Sequence, residues 1–140
     1  MANTNHQNIK KHLFLLLLIL VLLVPAIHKL NDAMPPSWFV NKFQHSFLAS
    51  IPFGLSCSFF IIVFLELIGP LFLFIGWLQT LRKPSNNRFI QLGFLTCYVL
   101  FLILTFGSFV VQDYDNGFKD FMYFTGILLI DRYYFESEAV

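Results

Sequence analysis

The sequence predicts an all-α membrane protein: a bundle of four transmembrane helices, with a short amphipathic interfacial helix between the first and second. Composition is the first observation behind this. Hydrophobic residues make up 57% of the 140-residue chain and charged residues 12%. A soluble domain of this size needs more polar surface, because small domains bury a smaller share of their area. Run length is the second. Apolar stretches at 13–27, 53–77 and 89–111, with a weaker one at 118–134, lie near the ~20 residues that cross hydrocarbon as a helix. The polar and basic turns between them are the third. An apolar soluble bundle is the alternative, and run length disfavours it. The formal net charge of +1, with no long basic tract, gives no reason to expect nucleic acid. The expected partner is the lipid bilayer.

Taken in order, residues 1–12 read as a polar cytoplasmic tail ending in Lys10, Lys11 and His12. The domain proper is 13–135. Its first span extends to Leu30 if His28 and Lys29 snorkel at the interface. Val24, Pro25 and Ala26 would suit a signal-peptidase site, but an uncleaved first span is the preferred reading. Asn31, Asp32, Pro35 and Pro36 make a turn, with Ser37 as the expected N-cap of a short amphipathic helix. Trp38, Phe39, Phe43 and Phe47 would form its apolar face, lying in the interface or capping the bundle. The second span, 53–77, carries a possible kink at Gly69-Pro70. A basic turn from Arg82 to Arg88 leads to the third span, where Gly93, Thr96, Cys97, Thr105, Gly107 and Ser108 allow close helix contact. An acidic turn, 112–117, precedes the fourth and weakest span, whose charges Lys119, Asp120, Asp131 and Arg132 fall near the interfaces. Residues 136–140 form the second tail.

Four spans put both termini on one side. Lys10, Lys11, Arg82, Lys83, Arg88 and Arg132 fall there, against Lys29, Lys42 and Lys119 opposite, so the positive-inside rule predicts cytoplasmic termini. The expected location is a bacterial plasma membrane.

Glu66 is the residue that stands out. A carboxylate at bilayer depth costs roughly 2.5–3.5 kcal/mol on insertion scales, so it is rarely there without a partner or a function. Pro70, four residues on, has no N–H to give the Glu66 carbonyl. Counted from Phe53, Glu66 lies ~20 Å into its span, and Thr96 and Cys97 reach a similar depth on the antiparallel third span. With no Lys or Arg expected at that depth, Glu66 is predicted neutral and hydrogen-bonded. Two readings stand. Glu66 exchanges a proton or binds a polar head group such as a quinone carbonyl, or it fixes helix packing through backbone and hydroxyl groups. His28, Lys29, Gln112 and Asp113 form a second group at the outer ends of spans one and three, with interfacial salt bridging as the plainer reading. Tyr123 and Thr125 could face the same cavity.

Cys57 and Cys97 sit at depths that differ by roughly 15 Å, too far for a disulfide, and both read as small core residues. No metal-ligand spacing occurs. There is no nucleotide-binding loop, zinc-protease motif or nucleophile triad, and no His pair within the spans to hold haem. Whether the chain is an enzyme is therefore open, and no resident cofactor is expected.

Four stretches together resemble the DoxX-like family of small four-helix membrane proteins. They are Ala26-Ile27-His28-Lys29-Leu30; Pro36-Ser37-Trp38-Phe39-Val40 on to Phe43, with Phe47-Leu48 and Ile51-Pro52; Leu65-Glu66-Leu67-Ile68-Gly69; and Phe106-Gly107 through Gln112-Asp113-Tyr114. The resemblance covers about residues 20–135 through short, degenerate motifs. It implies family roles for Lys29, Glu66, Gly69 and Asp113, and association with a membrane oxidoreductase, in some members one coupled to quinone. Pro70 departs from the apolar residue usual there, and the lack of a Cys pair speaks against thiol redox chemistry. The expectation is an accessory or quinone-linked subunit of an oxidoreductase system, with Glu66 in a polar pocket shared with Lys29, Gly69, Pro70, Thr96 and Asp113. Partner subunits or homo-oligomers are compatible with it. A non-catalytic scaffold or assembly factor is the rival. A small-molecule or lipid transporter is less favoured, since a single four-helix chain would have to oligomerise to alternate access.

Overall fold

The computed structural model describes residues 2–30, 34–82 and 87–136, and among these it is helical with no strand. The loop start at 31–33, the turn at 83–86 and the tail at 137–140 lie outside the described residues. Among the described residues six helices occur: α1 (Ala2–Leu30), α2 (Ser37–Phe43), α3 (Phe47–Ser50), α4 (Gly54–Arg82), α5 (Arg88–Val110) and α6 (Tyr114–Glu136). The long helices pack in chain order, each antiparallel to the next. On α1 and α4, His12 meets Trp77 at one end and Lys29 meets Glu66 towards the other. On α5 and α6, Tyr98 meets Asp131 at one end and Ser108 meets Asp120 at the other. Lys11 lies over the Tyr134 ring, 5.2 Å from its centroid, so α1 and α6 touch where α1 enters the bundle.

Among the described residues three segments are long and apolar enough to cross a membrane: Ile9–Leu30, Gly54–Arg82 and Arg88–Val110. α6 forms where the fourth span was expected, but its charges keep it out of that set. The tail expected at 1–12 is also helical, as the start of α1, because nothing after Ala2 breaks a helix before Pro25. α1 and α4 run through Pro25 and Pro70 without interruption.

Each long helix buries one stripe. On α1 it is Leu15, Leu18, Ile19, Leu22 and Ala26; on α4 it is Phe59, Ile62, Val63, Glu66, Gly69, Pro70 and Leu73. Both follow the three-and-four spacing of a helix face. Glu66 continues the α4 stripe, and Lys29 follows Ala26 at the next step of the α1 stripe. α4 and α5 approach through glycine: a Cβ on Gly76 would lie 2.8 Å from the Ile90 backbone nitrogen, and one on Gly93 3.0 Å from that of Leu73. The close contact expected of Gly93 is therefore real. Cys97 is fully buried on this seam, whereas Cys57 is exposed on the outer face of α4, contrary to its expected core place.

The expected single interfacial helix is two. α2 ends at Phe43, whose carbonyl accepts from the Ser46 hydroxyl at 2.6 Å, and this local bond competes with continuing the helix. α3 follows. The expected N-cap also shifts: Pro36 holds that position and Ser37 is the first helical residue, with no side-chain capping bond. Phe39 and Phe43 turn inward, and Phe43 packs on Gly107 of α5 at 3.6 Å from the position a Cβ would take.

Candidate functional site

A cavity of about 410 Å³ opens at the end of the bundle where α1 finishes and α4 starts. α2 and α3 cover it, and α1, α4, α5 and α6 wall it. Its apolar lining is largely aromatic: Trp38, Phe39, Phe43 and Phe47 from the cover, Phe59 from α4 and Phe106 from α5. Its polar groups include Lys29, Lys42, Glu66, Ser108, Asn116 and Asp120.

Lys29 Nζ donates to Glu66 Oε1 at 2.5 Å, an ion pair with side chains 21% and 7% exposed. This corrects the expectation that no cation lies within reach of Glu66. Between the His12–Trp77 and Lys29–Glu66 pairs, α1 rises ~9 Å more than α4. Helical side chains lean towards their own N-termini. On antiparallel helices these two therefore lean towards each other and close the offset. Glu66 itself is 5% exposed, and its second oxygen, Oε2, is buried without a hydrogen-bond partner.

Asp113 lies at the cavity's rim. Its carboxylate accepts from Lys42 Nζ at 2.6 Å and from the Asn116 side-chain amide at 2.6 Å. The expected group of His28, Lys29, Gln112 and Asp113 is thus divided: Lys29 turns inward to Glu66, and Lys42 of α2 takes Asp113. The Lys42 and Asn116 hydrogen bonds hold the Asp113 carboxyl down at about 2, from an ordinary 3.8. The turn itself has a defined build. Gln112 has φ of 59°, its N–H reaches the Phe109 carbonyl, and the Asp113 N–H reaches that of Ser108. This is a Schellman ending of α5 with Gln112 in the left-handed position that glycine usually fills. Asp113 Oδ1 also accepts from the Asn116 backbone N–H, capping the start of α6.

Other expected site residues stand apart. The Thr96 hydroxyl donates to the Leu92 carbonyl of its own helix at 2.8 Å, so it does not serve Glu66. Gly69 faces Thr96 and Cys97 with room for a methyl, its nearest neighbours 3.6 Å from an added Cβ. Gly69 and the buried Pro70 support the α4 seam one turn past Glu66 and do not line the cavity. Tyr123 is exposed, and Thr125 donates to the Phe121 carbonyl. In their place the structure brings in residues that the sequence reading assigned elsewhere. Ser108 donates to Asp120 Oδ2 at 3.2 Å inside the cavity wall. Its position on the α5 stripe after Cys97 and Phe101 was the available signal; Asp120 and Lys42 gave none beyond their charge. Among the described residues no group of His, Cys, Asp or Glu could hold a metal ion.

Chemically, the site presents two lysines and two carboxyl groups to one aromatic-walled space open at the end of the bundle. No family model matches the chain, and neither the curated proteins nor the solved structures provided a match.

Proposed function

We propose that the protein is an integral membrane subunit of the DoxX-like kind that binds a small amphipathic molecule, of the quinone class, in support of a membrane oxidoreductase. In this reading α6 crosses alongside the three more apolar helices, both termini are cytoplasmic, and the cavity opens on the outer side of a bacterial plasma membrane. The observation that carries it is the aromatic cavity with the Lys29–Glu66 pair in its wall. Ligand pockets of this size are mostly apolar with a few placed polar groups that fix orientation. Buried ionisable residues in spanning helices also tend to mark such sites. The resemblance in the Glu66–Gly69 stretch adds the redox setting.

The test is competition in the full-length chain in native-lipid particles. A photoreactive quinone analogue should crosslink to α2, α4 or α5 around the cavity and be displaced by short-chain quinone. Glu66→Gln should reduce the activity of the host pathway. Crosslinks confined to the outer helix faces, with unchanged pathway activity, would refute ligand binding.

A scaffold role is the second reading. The observation on its side is an apolar groove of about 390 Å³ on the outer α5–α6 face, formed by Leu102, Thr105, Phe106, Phe109, Phe121 and Phe124. Full loss of pathway function on deletion, together with normal function of Glu66→Gln, would favour it.

A further inference from the structure

Glu66 lines the cavity, uses one oxygen on Lys29 and leaves the other, Oε2, buried and unpartnered. A buried acceptor with no donor costs the desolvation of that group. Three donors of the lining are engaged elsewhere, and the Ser58 hydroxyl lies about two turns nearer the start of α4 than Glu66. Lys29 Nζ is held at Oε1, the Ser108 hydroxyl donates to Asp120, and Lys42 is drawn to Asp113 at the rim. While ionised in its pair with Lys29, Glu66 can only accept.

Charge narrows the ligand further. Lys29 is paired with Glu66 and Lys42 with Asp113, so neither cation is left to hold an anionic head group. The remaining wall is aromatic and offers ring faces and edges to a flat, apolar body.

We propose that the cavity selects an uncharged aromatic amphiphile bearing a hydroxyl donor, a phenol or hydroquinone ring, whose O–H donates to Glu66 Oε2 while its apolar body lies among Phe39, Phe43, Phe59 and Phe106. This rests on the ligand-binding reading above and deepens it by fixing the hydrogen-bond sense. Within a quinone couple it selects the reduced form. The oxidised form carries only carbonyl acceptors, which would meet Oε2 lone pair to lone pair.

The test uses the full chain in detergent and a matched pair of probes, 4-hexylphenol and its methyl ether, titrated by calorimetry and corrected for partition into empty micelles. The two differ by the one O–H. The phenol should bind roughly 10- to 100-fold more tightly, the range for a hydrogen bond to a charged group. In Glu66→Gln the amide can place its NH₂ where Oε2 stood, so the preference should vanish or reverse. Equal binding of both probes to the natural chain overturns this proposal and leaves the ligand-binding reading standing. Binding of neither overturns both. The comparison on the natural chain decides the matter even if Glu66→Gln does not fold.

Discussion

Lys29 and Glu66 show how a residue's reach can exceed its place in the chain. Counting rise from the helix ends treats each side chain as a point on the axis, which is why Glu66 looked unaccompanied in the sequence. Its burial was legible, from the length of the apolar run around it; its partner was not, because the lean of two side chains on antiparallel helices has no sequence signal. Removing one member of such a pair leaves an unpaired buried charge. Lys29→Met should therefore cost roughly 2–4 kcal/mol, below the fully buried range because Lys29 is 21% exposed. Adding Glu66→Gln to Lys29→Met should restore part of the loss. Thermal unfolding in detergent measures the cycle, and strictly additive losses would show that the pair is not coupled. Gln112 gives a prediction of opposite sign. It pays the left-handed penalty at φ of 59°, so Gln112→Gly should stabilise by about 1 kcal/mol, and a destabilised variant would mean its side chain contributes more than its backbone costs.

Among the elements, the seam between α4 and α5 separates two kinds of glycine. Gly93→Ala drives a methyl against the Leu73 backbone and side chain, and Gly76→Ala does the same at Ile90. Each should destabilise by about 1–3 kcal/mol. Gly69→Ala meets neighbours only at ordinary contact distance and should be neutral, or slightly stabilising through helix propensity; a large loss there would point to a role for Gly69 outside packing. The sequence could rank these positions as small but not tell them apart, since the seam's register is set by tertiary contact. The same limit applies to α2 and α3. Their aromatic spacing foretold an amphipathic cover, while the break after Phe43 depends on the Ser46 hydroxyl choosing a local carbonyl. The cover is tied down by Lys42 and Asp113. A carboxyl depressed in the folded state contributes stability above its unfolded value of 3.8, and that contribution is lost as pH falls through about 2. Carboxyl titration by NMR should place Asp113 in that low range. In Lys42→Met the value should rise towards the ordinary one, bringing the acid-induced loss to higher pH.

For the molecule as a whole, composition and run length conveyed the helical class and the three strongest candidate spans. They gave α6 as a fourth and weakest span, because its apolar residues share a short segment with Lys119, Asp120, Asp131 and Arg132, and only packing against α5 shows which of these turn inward. If α6 crosses, single cysteines placed at Asn41 and Asp115 in a Cys57→Ala, Cys97→Ala background should react with a membrane-impermeant maleimide from the outer side. One placed at Arg88 should react only after permeabilisation. Labelling of the α6 C-terminal end from the outer side would place that helix on the surface. Asp113 sits where these scales meet: it terminates the hydrogen bonding of α5, begins that of α6 and grips α2 through Lys42. The start of α6 and the roof over Lys29 and Glu66 therefore share one anchor, and a shift of either draws on the other through that single carboxylate.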